Sequence, residues 1–260
     1  MPKYQIVKNR VRLSDERFDY YLDESLFFFS KIESIVGSPP PIALGNSPEL
    51  TNWQNERWKN IQDSLANCRH KIQAINYSLS LINSEVKFPP IIGQNVVPIN
   101  LNETEFLDDV ILFEFESFLL QVMSTLDVFV HLLRLFYPAL DSKDEHTIGF
   151  NGLKGRAGKK TTNVLRKQDS KLADYIDNQV DLWIQNVYSL RNITAHRSKV
   201  SNLQMFLIDK HGIHAPKFLG DQVDLLDFCQ NTYNQLKTFL THIEESFLLP
   251  KSEKFYETPN

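Results

Sequence analysis

The sequence predicts an all-α protein, an antiparallel up-and-down bundle of long helices. Three observations indicate this fold class. The 260-residue chain contains 9 Gly against 18 Phe, and its turn signals lack the regular spacing of a sandwich or barrel. Apolar residues recur at helical spacing over long stretches. Pro-containing and Gly-containing connections separate these stretches, as in antiparallel bundles.

The first hundred residues contain two of these helical patterns. Ser14 is a candidate cap for the first, and the Gly-Ser-Pro-Pro-Pro segment at residues 37–41 ends it. The second pattern carries apolar residues from Trp53 to Ile82 and ends before Pro89. We expect residues 1–102 to form an N-terminal helical extension packed on a bundle of residues 103–260.

Three further helices are predicted within residues 103–260. The strongest apolar pattern spans residues 103–137 and stops at Pro138, and later patterns span residues 171–196 and 221–248. Two short runs of strand-forming residues, 204–208 and 213–218, flank a Gly-bearing loop. This arrangement predicts a small β-hairpin before the last helix.

The composition of the chain indicates its cellular compartment. No apolar segment follows Met1, so no signal peptide is expected. Residues 113–137 are apolar but carry several charged groups, which disfavours a lipid-facing span. A cytoplasmic protein without a membrane partner is therefore predicted. Cys68 and Cys229 are expected to be reduced, although a disulfide between them stays open at this stage.

The helix predicted over residues 171–196 carries the strongest candidate site. Its polar residues Gln185, Ser189, Asn192 and His196 fall on one stripe, with Arg191 beside it. A polar stripe is also typical of a solvated helix face. A histidine near a helix C-terminus is favoured by the helix dipole alone. Spacing by itself leaves both interpretations open.

These residue types suit RNA cleavage. Attack of a ribose 2′-OH on the adjacent phosphate needs a group that moves protons and a cation that holds the developing charge. Histidine titrates near neutral pH, and the arginine fork matches phosphate oxygens. Asparagine can orient either group through hydrogen bonds. The set requires no metal or other cofactor.

The segment Arg191-Asn192-x-x-x-His196, followed by Arg197, resembles the R-(polar)-x-x-x-H signature of the HEPN superfamily. Residues 115–121, together with Ser124 and Asp127, are similar to a bundle helix of stand-alone bacterial HEPN proteins. The resemblance covers residues 103–248 and leaves the first hundred residues unexplained.

The resemblance implies a homodimer with a composite, metal-independent endoribonuclease site. Arg191 would bind or polarise the phosphate, His196 would move the proton, and Asn192 would occupy the variable polar position. The setting would be toxin–antitoxin or phage defence, with an antitoxin or a nucleotidyltransferase as the type of protein partner. The alternative is a non-catalytic HEPN scaffold that binds RNA, a nucleotide or a protein.

Two further sets of residues are candidates for supporting roles. Asp127 lies on the apolar helix and could orient His196 or Arg191, or simply mark the helix boundary. Arg197 would assist beside the motif. Arg156, Lys159 and Lys160 lie in a stretch without acidic residues, which predicts an RNA-backbone contact. A solvated loop is the competing interpretation of that stretch.

Overall fold

A computed structural model describes twelve segments of the chain: residues 3–7, 10–14, 25–39, 48–87, 104–106, 109–140, 149–150, 156–195, 206–209, 212–214, 217–218 and 223–257. Side chains are described within residues 25–39, 48–82, 113–140, 149–150, 156–193 and 225–257. Helices dominate these segments, as the sequence predicts. The antiparallel bundle topology of the whole chain stays a prediction.

The helices follow one another along the chain as α1 (Ser30–Val36), α2 (Pro48–Lys87), α3 (Asp109–Phe136), α4 (Lys159–Leu165), α5 (Ser170–Gln179), α6 (Gln185–Ala195), α7 (Leu225–Ile243) and α8 (Leu249–Ser252). π-Helical turns lie between α5 and α6 and between α7 and α8, at Val180–Ile184 and Glu244–Leu248. A 3₁₀ turn, Pro138–Leu140, follows α3. The short strands are β1 (Lys3–Val7), β2 (Arg10–Ser14), β3 (Thr104–Phe106), β4 (Phe206–Asp209), β5 (Gly212–His214), β6 (Lys217–Phe218) and β7 (Val223–Asp224).

The two longest helices, α2 and α3, pack against each other in opposite directions. Near one end of the pair, the Ser78 hydroxyl donates to the Ser117 hydroxyl at 3.2 Å. Near the other end, the Arg57 guanidinium donates to the carbonyl of Leu135. Buried residues of α2, such as Ile72, belong to the same core as those of α3. Residues on both sides of the predicted boundary at 102/103 therefore share one core.

The ring of Phe239 in α7 lies at the centre of this core and is fully buried. It packs edge-on against Phe129 of α3 at 5.9 Å between centroids and against Trp183 of the π-turn at 6.2 Å. It also stacks on Tyr175 of α5 at 5.9 Å and meets Phe150 edge-on at 6.4 Å. A single side chain thereby joins α3, α7 and the helix that carries the candidate site.

That helix is continuous from Ser170 to Ala195, and we call α5, the first π-turn and α6 together the motif helix. Asp169 caps its start, because one carboxylate oxygen accepts from the Leu172 N–H at 3.0 Å. The other oxygen accepts from the Tyr137 hydroxyl at 3.0 Å, which ties the cap to the end of α3. The predicted apolar stripe is confirmed, since its members are buried: Leu172, Ile176, Trp183, Val187 and Leu190.

Several predicted boundaries are wrong. The helix expected from residue 103 begins at Asp109, because Thr104–Phe106 pairs as β3 with β4. The last helix begins at Leu225, and α8 runs through Pro250 instead of stopping before it. Proline is tolerated there because it occupies the first turn of α8, where its missing N–H has no helical partner.

The described strands form three small antiparallel sheets. The N-terminal segment, predicted as a helical extension, contains the antiparallel pair β1 and β2, and β6 pairs with β7. In the region of the predicted hairpin, β4 pairs antiparallel with both β3 and β5. That these strands form a hairpin added to a helical bundle, before its last helix, stays a prediction.

The apolar helix and the cysteines both belong to the interior. Phe113–Phe136 is the one helix in the described segments that is long and apolar enough to cross a membrane, yet more than half of its most apolar window is buried. Such burial is typical of a core helix in a soluble protein. Cys68 and Cys229 are buried and free, so they form no disulfide. Burial raises the pKa of the Cys68 thiol to about 12.

Replacing Phe239 with alanine should strongly destabilise the fold. The substitution leaves a cavity facing four aromatic rings, and deletion of a buried Phe side chain costs about 3–5 kcal/mol. Urea unfolding measures the change in unfolding free energy. Phe27→Ala is the control, because Phe27 is 78 % exposed. Equal stability of the two variants would contradict the central role of Phe239.

Candidate functional site

Arg191 lies on α6, near the end of the described part of the motif helix, and is half-buried. Its guanidinium donates to the side-chain oxygen of Asn192 at 3.1 Å. Asn192 is also half-buried. The predicted arginine and its polar neighbour are therefore in contact, at the edge of the core rather than inside it.

Asp127 lies on α3, is half-buried, and is close enough to Arg191 for the two charges to interact. Its carboxylate accepts a hydrogen bond from the Phe150 N–H at 2.7 Å. Burial raises the pKa of the Asp127 carboxyl, whereas the Phe150 N–H and the positive charge of Arg191 act in the opposite direction. A carboxylate taken out of water is thus held by one backbone donor and lies within the field of one guanidinium.

His131 is a member of this group that the sequence analysis did not select. It lies one helical turn after Asp127, is exposed, and its charge also lowers the pKa of the Asp127 carboxyl. Its Nδ1 lies 3.4 Å from a guanidinium nitrogen of Arg134. The signal in the sequence was a histidine four residues after an aspartate on an otherwise apolar helix. We name Asp127, His131, Arg191 and Asn192 the Asp127 cluster.

The polar stripe of the motif helix is partly used to hold the preceding loop. The Gln185 side-chain oxygen accepts from the Ala157 N–H at 3.0 Å. Its amide nitrogen donates to the Ser189 hydroxyl at 3.2 Å. The stripe therefore has structural contacts near its start, and Ser189 and Asn192 extend it toward the helix end.

The other predicted members of the motif lie outside the described residues. The description of the motif helix ends at Ala195, one residue before His196. Arg197 follows in the same undescribed segment. Their predicted roles, proton transfer by His196 and assistance by Arg197, stay predictions.

The predicted RNA-binding residues are placed against the motif helix. Arg156 forms ion pairs with Asp181 at 3.0 Å and with Asp177 at 3.9 Å. Lys159 and Lys160 lie in the first turn of α4, half-buried, and form no ion pair with any other described residue. Charge compensation leaves Arg156 less suited to a phosphate than the two lysines.

The aspartates involved are regularly spaced on the motif helix. Arg166, from the same basic stretch, pairs with Asp174 and, at 2.6 Å, with Asp177. Asp174, Asp177 and Asp181 stand three and four residues apart and so share one helix face. The basic stretch packs on this acidic face through these ion pairs. Its charge partners lie on the motif helix, outside the stretch itself.

Exposed apolar side chains occur on both helices that carry the Asp127 cluster. On α3, Phe113 is 67 % exposed and Leu120 is 43 % exposed. On the motif helix, Leu182 is 60 % exposed and Ile193 is 38 % exposed. Leu120 and Asp127 are seven residues apart and share one face of α3.

The chain matches no model of a known protein family, no curated protein and no solved structure. Within the described segments, no three His, Cys, Asp or Glu side chains are grouped as they would be to hold a metal ion.

Asp127→Asn should change how stability depends on pH. Because burial raises the pKa of Asp127 above its ordinary 3.8, the ionised carboxylate is less favourable in the folded chain than in the unfolded one. The protonated Asp127 carboxyl therefore makes its full contribution to stability below the unfolded-state pKa. This contribution is lost as pH rises through the higher pKa of the folded state. Asparagine keeps an oxygen for the Phe150 N–H and carries no charge.

Urea unfolding of both proteins between about pH 4 and about pH 7 measures this difference. We expect the unfolding free energy of the wild type to fall relative to that of the Asp127→Asn variant over this interval. Asp63→Asn, at an exposed position on α2, is the matched control. A constant difference between wild type and the Asp127→Asn variant would refute the charge burial described for Asp127.

Proposed function

We propose that this chain is a metal-independent endoribonuclease of the HEPN type, acting as a homodimer on RNA. The observation that supports the proposal is the Asp127 cluster, in which Arg191 of the R-N-x-x-x-H segment bonds to Asn192 and its charge acts on the half-buried Asp127 carboxyl. An arginine held in this way has a defined direction before substrate binds. Such preorganisation lets a fixed cation stabilise charge that develops in a transition state.

In the proposed reaction the substrate ribose supplies the nucleophile. His196 removes the proton from the 2′-OH, which attacks the adjacent phosphorus, and the bond to the 5′-oxygen of the next nucleotide breaks. That oxygen takes a proton from solvent as it leaves, and His196 returns to solvent the proton that it removed. The products are a 2′,3′-cyclic phosphate and a 5′-hydroxyl. Arg191 binds the phosphate oxygens, Asn192 orients Arg191 through the bond described above, and Asp127 positions the guanidinium.

The homodimer part of the proposal is supported by exposed apolar residues on the two helices that carry the cluster. Phe113 and Leu120 on α3, with Leu182 and Ile193 on the motif helix, are large side chains left in water. Exposed apolar patches of this kind mark interaction surfaces. A second copy of the chain would cover them and bring two motif helices together. Two such helices would form the composite site that the HEPN resemblance implies.

One observation favours the alternative, a non-catalytic HEPN scaffold. Arg191 and Arg156 both contact acceptors of the chain itself, Asn192 and Asp181 respectively. Such contacts stabilise the fold without any substrate. A scaffold would use the same surface to bind RNA, a nucleotide or a protein partner, including an antitoxin or a nucleotidyltransferase. Toxin–antitoxin or phage-defence roles and a cytoplasmic location belong to the proposal in either form.

RNA cleavage in the presence of EDTA tests the enzyme. We expect the wild type to cleave single-stranded RNA, leaving 2′,3′-cyclic phosphate ends. His196→Ala should lower the rate by about 10²–10⁴-fold through loss of proton transfer. Arg191→Ala should lower it by about 10²–10³-fold through loss of charge stabilisation.

His70→Ala and Lys254→Ala are the controls, because both residues are exposed and lie outside the cluster and outside the basic stretch. Full activity in both the His196 and Arg191 variants would exclude the proposed mechanism. RNA binding by a wild type that cleaves nothing would favour the scaffold.

Light scattering coupled to gel filtration tests the dimer. Leu120→Glu places a charge in the exposed apolar patch, and we expect it to convert a dimer to a monomer and to lower cleavage with it. Leu26→Glu is matched, since Leu26 is 50 % exposed on the turn before α1. A wild-type monomer, or a Leu120→Glu dimer with wild-type mass and activity, would rule out this interface.

A further inference from the structure

A polar cleft of ≈ 740 Å³ lies between α2 and α3, next to the Asp127 cluster. Its size falls within the range of small-molecule sites, about 300–1,000 Å³. We name it the α2–α3 cleft and define it by its lining residues: Trp53, Glu56, Arg57, Asn60, Asp63, Ser64, Asn67, Val128, His131, Arg134, Leu135 and Pro138.

The side chains of α2 that line the cleft are arranged along the helix by chemical type. Trp53, Asn60 and Asn67 are seven residues apart, which puts an indole and two amides in one row along the helix, about 10 Å from one to the next. Ile61 and Leu65 of the same helix are buried and mark the direction of the core. The lining carboxylates, Glu56 and Asp63, project furthest from that direction and form the rim.

The α3 wall supplies nitrogen donors. His131 and Arg134 line the cleft, with His131 Nδ1 3.4 Å from the Arg134 guanidinium. His131 also lies close enough to Asp127 to affect the pKa of its carboxyl. His131 therefore belongs both to the lining of the cleft and to the Asp127 cluster, which contains the Arg191 of the proposed point of cleavage.

Arg57 has a structural role in the floor of the cleft. Its guanidinium donates to the carbonyl of Phe255 at 2.6 Å and to that of Leu135. It also stacks over the Phe255 ring at 4.0 Å. Because Arg57 is engaged in this way, we assign the contacts to a ligand's phosphate to the nitrogen atoms of His131 and Arg134 on α3.

We propose that the α2–α3 cleft binds one nucleotide of single-stranded RNA adjacent to the cleaved bond. This inference rests on the proposed function and adds a substrate subsite to it. The Trp53 indole stacks on the base and the Asn60 amide bonds to the base edge, as in other single-strand sites, whereas Asn67 lies about 10 Å further along the row, beside the neighbouring nucleotide. His131 and Arg134 contact the phosphate that leads toward Arg191.

The acidic rim restricts the ligand further. Carboxylates accept hydrogen bonds, so Glu56 and Asp63 suit the hydroxyls of a ribose or the amino group of a base. The same carboxylates repel additional phosphates. The cleft should therefore bind a nucleoside monophosphate more tightly than the corresponding triphosphate.

Binding of adenosine 3′-monophosphate, adenosine, ATP and inorganic phosphate to the full-length protein tests the subsite. Calorimetry and quenching of tryptophan fluorescence measure each affinity. The double variant Asn60→Ala/Asn67→Ala should bind adenosine 3′-monophosphate about tenfold more weakly, as expected for loss of the hydrogen bond from Asn60 to the base. His131→Ala should remove the advantage of the monophosphate over adenosine.

Asn52→Ala/Asn55→Ala is the matched control, since these exposed asparagines lie on the same helix outside the cleft. Thermal unfolding verifies that each variant is folded. Absence of nucleotide binding by the wild type, or equal affinity of the two double variants, would overturn the subsite. Tighter binding of ATP or of inorganic phosphate than of the monophosphate would also overturn it.

The subsite and the nuclease can fail separately. Arg191→Ala should abolish cleavage without weakening nucleotide binding, because Arg191 does not line the cleft. Nucleotide binding that depends on Asn60 and Asn67 in a protein without cleavage would remove the nuclease and keep the cleft. Cleavage with a KM unchanged in Asn60→Ala/Asn67→Ala would keep the nuclease and remove the cleft.

Discussion

The packing of four aromatic rings around Phe239 is the interaction on which the candidate site depends. Rings from α3, from the motif helix, from its π-turn and from residue 150 all converge on this side chain. Asp127 is two residues before one of these rings, and its hydrogen-bond donor is the backbone of another, Phe150. The apolar core therefore sets the position of the carboxylate, and the carboxylate in turn sets the electrostatic surroundings of Arg191.

Charges around the motif helix are arranged in two groups with different consequences. On one face, Asp174, Asp177 and Asp181 pair with exposed or half-exposed arginines, and ion pairs of this kind contribute little to stability. Near the other end of the helix, the charge of Arg191 acts on a carboxyl that burial has made harder to ionise. The ion pairs of the three aspartates hold the basic stretch against the motif helix. The interaction between Arg191 and Asp127 instead acts on a half-buried carboxyl, where water screens charges less.

The sequence predicted α2, α3 and the motif helix because long apolar periodicity is a local property of the chain. It failed at Asp109 and at Leu225, where strands precede the helices and the choice depends on distant pairing partners such as β4. Arg191 and Asn192 were candidates because of the R-N-x-x-x-H segment, and Asp127 because it is a carboxylate on an apolar helix. In the structure Arg191 bonds to Asn192, and its charge acts on Asp127. His131 and the pairing of Arg156 with Asp181 were missed, because both follow from how helices pack and not from any motif.

The π-turn at Val180–Ile184 has a consequence for the handling of insertions and deletions. A π-turn holds about one residue more than the α-helical turn it replaces, so it absorbs a surplus residue without passing the full rotation of about 100° to the helix that follows. The directions of the acidic face and of the Arg191 guanidinium are therefore kept across this surplus position. Loss of one amino acid between Val180 and Ile184 would restore ordinary α-helix and keep Arg191 on its side of the helix, whereas the same loss between Gln185 and Leu190 would turn Arg191 away from Asp127.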